Sequence, residues 1–346
     1  MHGHLARATK ARDTEDGAYV MSEKVKLVVI IPAYNEQPTV GEVVEQIPKR
    51  IDGVETIEVV VVDDGSTDAT AQVASKAGAE VFSFERNKGL GAAFRQGVKA
   101  ALGKGADIIV NIDGDGQFNP AHIPKLIEPV LRGQADMATA SRFADPKLIP
   151  KMPWIKKWGN KRMAHLINRL CDLDLHDVSC GFRAYSRTAA LRATLLGAHT
   201  YTHEIILDLA YRGLRIVEVP VEVIGVRKAG KSKVASNIYK YAWHSAMIVL
   251  RSLRDYRPMF FFGSISLFLL IPALLCGGFV FYHFIKTGSF SPYIFVAFFA
   301  GGFAFASLLV YITALLAGMI DRLRIQQDEQ LFLLRKQEYS AKKNDK

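Results

Sequence analysis

Cysteine is scarce in this chain: Cys171, Cys180 and Cys276 are spaced neither as metal ligands nor as a redox pair, which leaves them structural and fits a reducing compartment. No Gly-x-Gly-x-x-Gly follows the first predicted strand. This absence argues against a dinucleotide-binding enzyme. Gly89-Leu90-Gly91 reads instead as the start of a helix, with Arg86, Asn87 and Lys88 just before it. The first twenty residues lack an apolar core, so they form neither a signal peptide nor a span. A disordered extension over 1–24 is expected, with Met21 as an alternative start just ahead of the first strand.

Formal charge is missing from two stretches, 26 residues over 259–284 and 32 over 289–320. About 20 apolar residues cross a bilayer core, so two transmembrane helices are predicted over 259–320. They account for the 49% hydrophobic content and the mean hydropathy of +0.11. Pro272 and Gly277-Gly278 are expected to kink the first span, and Ala297, Gly301 and Gly302 to allow close packing in the second. Arg251, Arg254 and Arg257 precede the pair, Arg322 and Arg324 follow it, and the loop between carries only Lys286. By the positive-inside rule, the large N-terminal portion and both termini face the cytoplasm, at the plasma membrane in a prokaryote.

The net charge of +10 fits a protein facing anionic lipid as well as one binding nucleic acid. Lys147, Lys151, Lys156, Lys157, Lys161 and Arg162 surround Trp154 and Trp158, the mixture expected of a segment resting on lipid headgroups. A second such segment is predicted over 237–258, where Tyr239, Tyr241, Trp243, Met247 and Leu250 mingle with Lys240 and three arginines. A cytoplasmic tail is expected over 321–346. The expected partners are membrane lipid and small molecules, with no nucleic acid.

From Val25 onward, apolar runs of strand length alternate with amphipathic segments of helix length, the pattern of a parallel sheet with crossover helices. Strands are predicted over 25–31, 57–62, 80–84, 107–112 and 137–140, and helices over 40–47, 69–77, 91–102 and 123–131. Such sheets bind ligands at the carboxyl ends of their strands. Polar clusters fall at three of those ends: Pro32-Ala33-Tyr34-Asn35-Glu36, Asp63-Asp64-Gly65-Ser66-Thr67-Asp68 and Asp113-Gly114-Asp115-Gly116-Gln117. Ser66 or Thr67 is expected to cap the following helix, leaving Asp63 and Asp64 as a costly charge pair unless a ligand occupies the site. Two carboxylates at i and i+2 beside an amide outline a site for Mg²⁺ or Mn²⁺ carrying substrate phosphates.

Together with Ala140-Ser141-Arg142-Phe143, Ser179-Cys180-Gly181-Phe182-Arg183 and Glu218-Val219-Pro220, these clusters resemble the family-2 glycosyltransferases of GT-A fold, and more narrowly the dolichyl- and polyprenyl-phosphate sugar transferases. The resemblance implies an α/β GT-A domain over 25–236 with a mostly parallel, Rossmann-like sheet, followed by the two-helix transmembrane hairpin. It implies a nucleotide pocket of Pro32, Tyr34, Glu36, Val62, Asp64, Asp113 and Gly114, and a metal site of Asp113, Asp115 and Gln117. Asp115, Arg142 and Arg227 would be catalytic, while Arg142, Lys231 and Lys233 would hold an acceptor phosphate. Cys180 interrupts what is often a Ser-Gly-Phe run, and Glu204 stands farther from Glu218-Val219-Pro220 than the pattern leads one to expect.

The implied reaction is inverting transfer of a sugar from a UDP- or GDP-sugar to a polyprenyl or dolichyl phosphate, with Mg²⁺ or Mn²⁺. A lipid monophosphate is already largely anionic at neutral pH, so no general base is needed. A hydroxyl or lipid-diphosphate-sugar acceptor is the alternative and would need a carboxylate such as Glu204 or Asp177. A processive polysaccharide synthase is disfavoured by the two spans and the lack of Gln-x-x-Arg-Trp, and a retired scaffold by the retention of Asp113, Asp115, Gln117 and Arg142. The paired spans leave a homo-oligomer open.

Overall fold

A computed structural model of the chain describes residues 25–149, 154–193, 202–223, 247, 250, 251, 253, 254 and 257–344. The extension over 1–24, most of the segment over 237–258, and Arg227, Lys231 and Lys233 lie outside the described residues.

Strand β1 (Val25–Ala33) is fully buried from Leu27 to Ile31. A strand apolar on both faces is the mark of a parallel sheet covered on both sides. It pairs in parallel with β2 (Val54–Asp63) and β4 (Ile108–Asn111), and β3 (Glu80–Ser83) continues the sheet beyond β2. The intervening helices are α1 (Val40–Glu45), α2 (Thr70–Lys76), α3 (Leu90–Gly103) and α4 (Ile123–Leu131), close to the positions predicted from periodicity. Leu27, Val29 and Ile31 point into one hydrophobic layer, with Val43, Leu126 and Phe182. Val28 and Ile30 point into the other, with Phe94, Ile206 and Tyr185, as the two-residue period of a strand requires.

The second half adds β5 (Met137–Ser141), α5 (Trp154–Cys171), β6 (Arg183–Ser186), α6 (Arg187–Arg192), α7 (Thr202–Tyr211) and β7 (Ile216–Pro220). The sheet order is β3-β2-β1-β4-β6-β5-β7. It is the mostly parallel α/β sheet expected, with two strands beyond the five predicted: β7 pairs in parallel with β5, and β6 runs antiparallel between β4 and β5. Four residues that include a buried arginine are too short and too mixed to show a strand period. The reversal matters, because it carries residues 179–183 inward past the edge where β4 and β5 end.

Beyond the domain, α8 (Pro258–Thr287) and α9 (Ile294–Asn344) are, among the described residues, the two helices long and apolar enough to cross a membrane. Phe268, Leu274, Leu275 and Phe298 point outward from them, as lipid-facing residues would. Ser266 donates to the Ser307 carbonyl at 3.0 Å and Ser307 to the Ser266 carbonyl at 2.9 Å, tying the two helices across a buried contact. Close approach falls at Gly277, facing Ala300, and at Gly318, facing Met259; Gly301 and Gly302 have open space where a side chain would stand. The helix pair thus meets along a different stripe from the one expected.

The 51 residues of α9 would span about 76 Å, far more than a bilayer core of about 30 Å. What was expected as a tail is therefore helix through Asn344, and it packs back on the sheet domain. Arg335 Nη1 donates to the carbonyls of Leu191 and Ala193, and Arg187 Nη2 to that of Tyr339. Arg192 lies over the Phe332 ring at 4.0 Å, and Tyr339 is buried in the layer shared with α3.

Candidate active site

Because β1, β2, β4 and β5 share one direction, the segments that follow them gather at one edge of the sheet. The segments after β1 and β2 are stitched together there. Asn35 N donates to Ser66 Oγ at 2.9 Å, Thr67 N to Asn35 Oδ1 at 2.8 Å, and Glu36 N to Thr70 Oγ1 at 2.9 Å. Asn35 holds a left-handed φ of 52°, an orientation asparagine tolerates better than most residues. Ser66 and Thr67 therefore serve this seam rather than cap α2. Asp68, just ahead of the helix, accepts from Thr70 N at 3.0 Å through its Oδ1.

Asp63 and Asp64 are both buried, yet neither depends on a ligand to offset its charge. Asp63 Oδ1 accepts from Ser66 N at 3.0 Å, while Asp64 accepts from Lys88 N at 2.7 Å and Gly89 N at 2.9 Å. Backbone N–H groups stabilise a carboxylate as a counter-charge would, so the expected cost is met within the fold. Gly65 makes the contact possible, because a side chain there would lie 2.5 Å from the Arg86 carbonyl carbon and the residue holds a φ of +72°. Tyr34 and Glu36 are half-buried at this edge, whereas Pro32 is buried. Val62 is fully enclosed in the layer beneath α3, so it reaches a ligand only through its backbone.

The segment after β4 is anchored to the one after β1 by Thr39, whose Oγ1 donates to the Gly114 carbonyl at 2.8 Å. Asp113 is half-buried, and its carboxylate lies against Gly181: a Cβ there would stand 2.9 Å from Oδ2. Asp115 is 4% exposed, and its Oδ1 accepts from Gln117 N at 3.0 Å. Among the described residues no three His, Cys, Asp or Glu side chains converge as a ready-made cage. The donors on hand are two carboxylates and the Gln117 amide, hard oxygens that suit Mg²⁺ or Mn²⁺ with water and substrate phosphates completing the shell. Phe118 forms a backbone bridge with Val223, bringing the end of this segment beside the stretch that leads to Arg227, four residues on.

Arg142, just past β5, meets Asp177 as a fork: Nε to Oδ2 at 2.6 Å and Nη2 to Oδ1 at 3.0 Å, with Nη2 also 2.7 Å from Ser179 Oγ. Asp177 is wholly buried. Burial alone would push its carboxyl upward, but the Arg142 guanidinium outweighs this and holds it below the usual carboxylate range. A carboxylate enclosed and committed in this way cannot serve an acceptor hydroxyl as a base. Below it, Asn111, Arg183 and Thr139 stand side by side on β4, β6 and β5, all fully buried. His203 packs near them, and burial followed by the Arg183 charge lowers it to about 4, so it is neutral at pH 7. Cys180 is pushed up to about 12, chiefly by burial, which makes it an inert packing residue.

Asp113 and Arg142, singled out in the sequence, thus both meet the segment leading into β6, while Asp115 accepts from Gln117 N within its own turn. Asp177, Ser179 and Glu218 were quoted there without a positioning part. The available signal was an acid, Glu218, inside an otherwise apolar strand.

The family model described as Glycosyl transferase family 2 matches residues 28–192. The chain is 32% identical to the undecaprenyl-phosphate mannosyltransferase of Micrococcus luteus over 231 residues, 62% of this chain and 89% of that protein. It is 31% identical to the UDP-N-acetylglucosamine–dolichyl-phosphate N-acetylglucosaminyltransferase of Methanococcus voltae over 224 residues, 59% of this chain and 87% of that one. Among solved structures, glucosyl-3-phosphoglycerate synthase from Mycobacterium tuberculosis, in complex with Mn²⁺, uridine diphosphate and phosphoglyceric acid, is similar at a TM-score of 0.52 and 22% identity, covering 67% of this chain and 78% of that one. That likeness is one of fold, the GT-A arrangement of sheet and helices.

Proposed function

The chain belongs to glycosyl transferase family 2, and on that premise we propose that it transfers a sugar from a UDP- or GDP-sugar to a polyprenyl or dolichyl phosphate, inverting the anomeric carbon. One observation carries the reading. The segment Ser179-Cys180-Gly181 touches both halves of the site, Ser179 bonding Arg142 and Gly181 lying beneath the Asp113 carboxylate. The Asp113 carboxylate, which suits a metal, and the Arg142 guanidinium, which suits a phosphate, therefore both lie against one turn.

A phosphate oxygen of the acceptor attacks the anomeric carbon, and the bond to the nucleoside diphosphate breaks with its electron pair leaving on that group. Asp113, Asp115 and Gln117 would hold Mg²⁺ or Mn²⁺, which when bound offsets charge on the donor diphosphate. Because the acceptor enters as an anion, the protein needs to bring like charges together rather than to remove a proton. Arg142 does this with the charge of its guanidinium, held in place by Asp177, joined by Arg227, Lys231 and Lys233 from the stretch after β7. Tyr34, Glu36 and Asp64 with Pro32, Gly114 and the Val62 backbone form the nucleotide side.

The two spans keep the site at a bilayer surface, where a polyprenyl phosphate holds its head, so no long hydrocarbon has to leave the lipid. The exposed Trp154 and Trp158, with Arg162 stacked on the latter at 5.5 Å, suit contact with headgroups on the cytoplasmic leaflet. The hydroxyl-acceptor alternative loses one of its two candidate bases, since Asp177 is buried and committed to Arg142.

The test is to incubate the purified full chain with Mn²⁺ or Mg²⁺, mixed UDP- and GDP-sugars and a short-chain polyprenyl phosphate, and to weigh the lipid product. A mass gain of one sugar on the monophosphate is expected. Replacing Asp115→Ala should reduce that product by about 100-fold or more. A product formed only on hydroxyl or diphosphate-sugar acceptors, or undiminished turnover in Asp115→Ala, would overturn the proposal.

A further inference from the structure

Glu218 sits in the middle of β7, in the outermost strand of the sheet, and its carboxylate is turned inward with its side chain 7% exposed. It does not reach Arg142. It binds the turn that carries Asp177: His176 N donates to its two oxygens at 2.9 and 3.0 Å, Asp177 N donates at 2.7 Å, and His176 Nδ1 lies 2.9 Å away. Two asparagines of α5 hold the same turn from the other side. Asn160 donates to the His176 carbonyl at 2.8 Å, and its Oδ1 lies 3.1 Å from Ser179 Oγ. Asn168 donates to the Leu175 carbonyl at 2.9 Å and accepts from Leu175 N at 3.1 Å.

A turn without regular secondary structure is thereby fixed from a strand and from a helix, and what it presents is one buried carboxylate. Asp177 accepts from Arg142 N, Nε and Nη2, and its Oδ1 also accepts from Ser179 N at 3.1 Å and Ser179 Oγ at 3.0 Å. With Nε and Nη2 engaged side-on, the plane of the guanidinium is set, and Nη1 points away from Asp177. A mobile arginine side chain carries rotamer entropy, which a phosphate-binding arginine must otherwise lose when it engages its ligand. Fixing the fork beforehand removes that cost from the reacting complex.

We infer that Glu218 and Asp177 are positioning residues for the transfer, acting in series: Glu218 orients the 176–179 turn, Asp177 orients Arg142, and Arg142 meets the phosphates. The inference rests on the reading of Arg142 as a phosphate-binding group. A carboxylate suits the start of the series because the His176 and Asp177 N–H groups both converge on it. A glutamine would turn an NH₂ group toward N–H groups that need an acceptor.

The experiment is a double-mutant cycle in the full chain, reconstituted in lipid nanodiscs and measured by lipid product formed. Glu218→Gln should lower kcat by about tenfold or more, with its thermal midpoint and its affinity for Mn²⁺ plus nucleoside diphosphate close to those of the wild type. In an Arg142→Ala background, the same Glu218→Gln change should alter kcat by no more than about twofold, since there is no fork left to orient. An equal factor in both backgrounds, or wild-type kcat in Glu218→Gln, overturns the inference. If Glu218→Gln does not fold, Asp177→Asn takes its place in the cycle with the same two outcomes. Failure of the underlying reading is seen separately, in Arg142→Ala alone: unchanged turnover there would show that Arg142 does not serve the phosphates at all.

Discussion

At the scale of single residues, the site depends on what small side chains leave room for. Gly181 has no Cβ, and one placed there would stand 2.9 Å from Asp113 Oδ2 and 3.2 Å from Oδ1. Its φ is not in the left-handed region, so alanine meets no backbone strain and the only group displaced is the carboxylate. Gly181→Ala should therefore fold normally yet lose between about tenfold and a hundredfold in kcat/KM, the cost of misplacing a reacting group by about 1 Å. Its dependence on Mn²⁺ or Mg²⁺ concentration should shift to higher values. A variant with wild-type kcat/KM and metal dependence would show that Asp113 is not held by this contact. Asp113, Asp115 and Arg142 were legible in the sequence because charged residues at strand ends stand out against apolar runs. The partners of Asp63 and Asp64 were not, because Lys88 and Gly89 offer backbone N–H groups, which every residue has.

At the scale of elements, the least anticipated part is the far end of α9. Its charged contacts with the domain, Arg192–Glu329 and Arg212–Asp328, are partly exposed, and such pairs contribute about 0 to 1 kcal/mol each. Tyr339 is different, since it is buried among residues of the α3 layer and its own carbonyl receives Arg187. Truncating a buried aromatic costs about 3 to 5 kcal/mol. Tyr339→Ala should accordingly lower the thermal midpoint of the full chain by several degrees and expose the segment past residue 321 to protease. An unchanged midpoint and protease pattern would mean that the helix end does not support the domain. Nothing in the sequence told this helix from a tail: after Ile320 it reads as a mixture of charge and leucine that suits a solvated helix as well as a docked one.

At the scale of the molecule, one end of the sheet holds the proposed site and one helix pair forms the two candidate membrane spans. The proposed orientation can be tested on the loop between α8 and α9 and on the far end of α9. In intact cells, a membrane-impermeant maleimide should label Ser289→Cys, whereas Gln330→Cys should be labelled only after permeabilisation, each read against the unsubstituted chain. The reverse pattern would place the catalytic domain on the other side. The sequence by itself determined the alternation of strands and helices, the two apolar runs and the identity of the charged groups at the strand ends. These signals are local: periodicity, length and composition act over a few consecutive residues. Only the tertiary structure decided that β6 runs antiparallel, that Glu218 and Asp177 stand behind Arg142, and that α9 returns to the domain. Each of those depends on which segments lie side by side, across separations such as the 35 residues from Arg142 to Asp177 or the 152 from Arg187 to Tyr339, and short-range pattern carries no information over such distances.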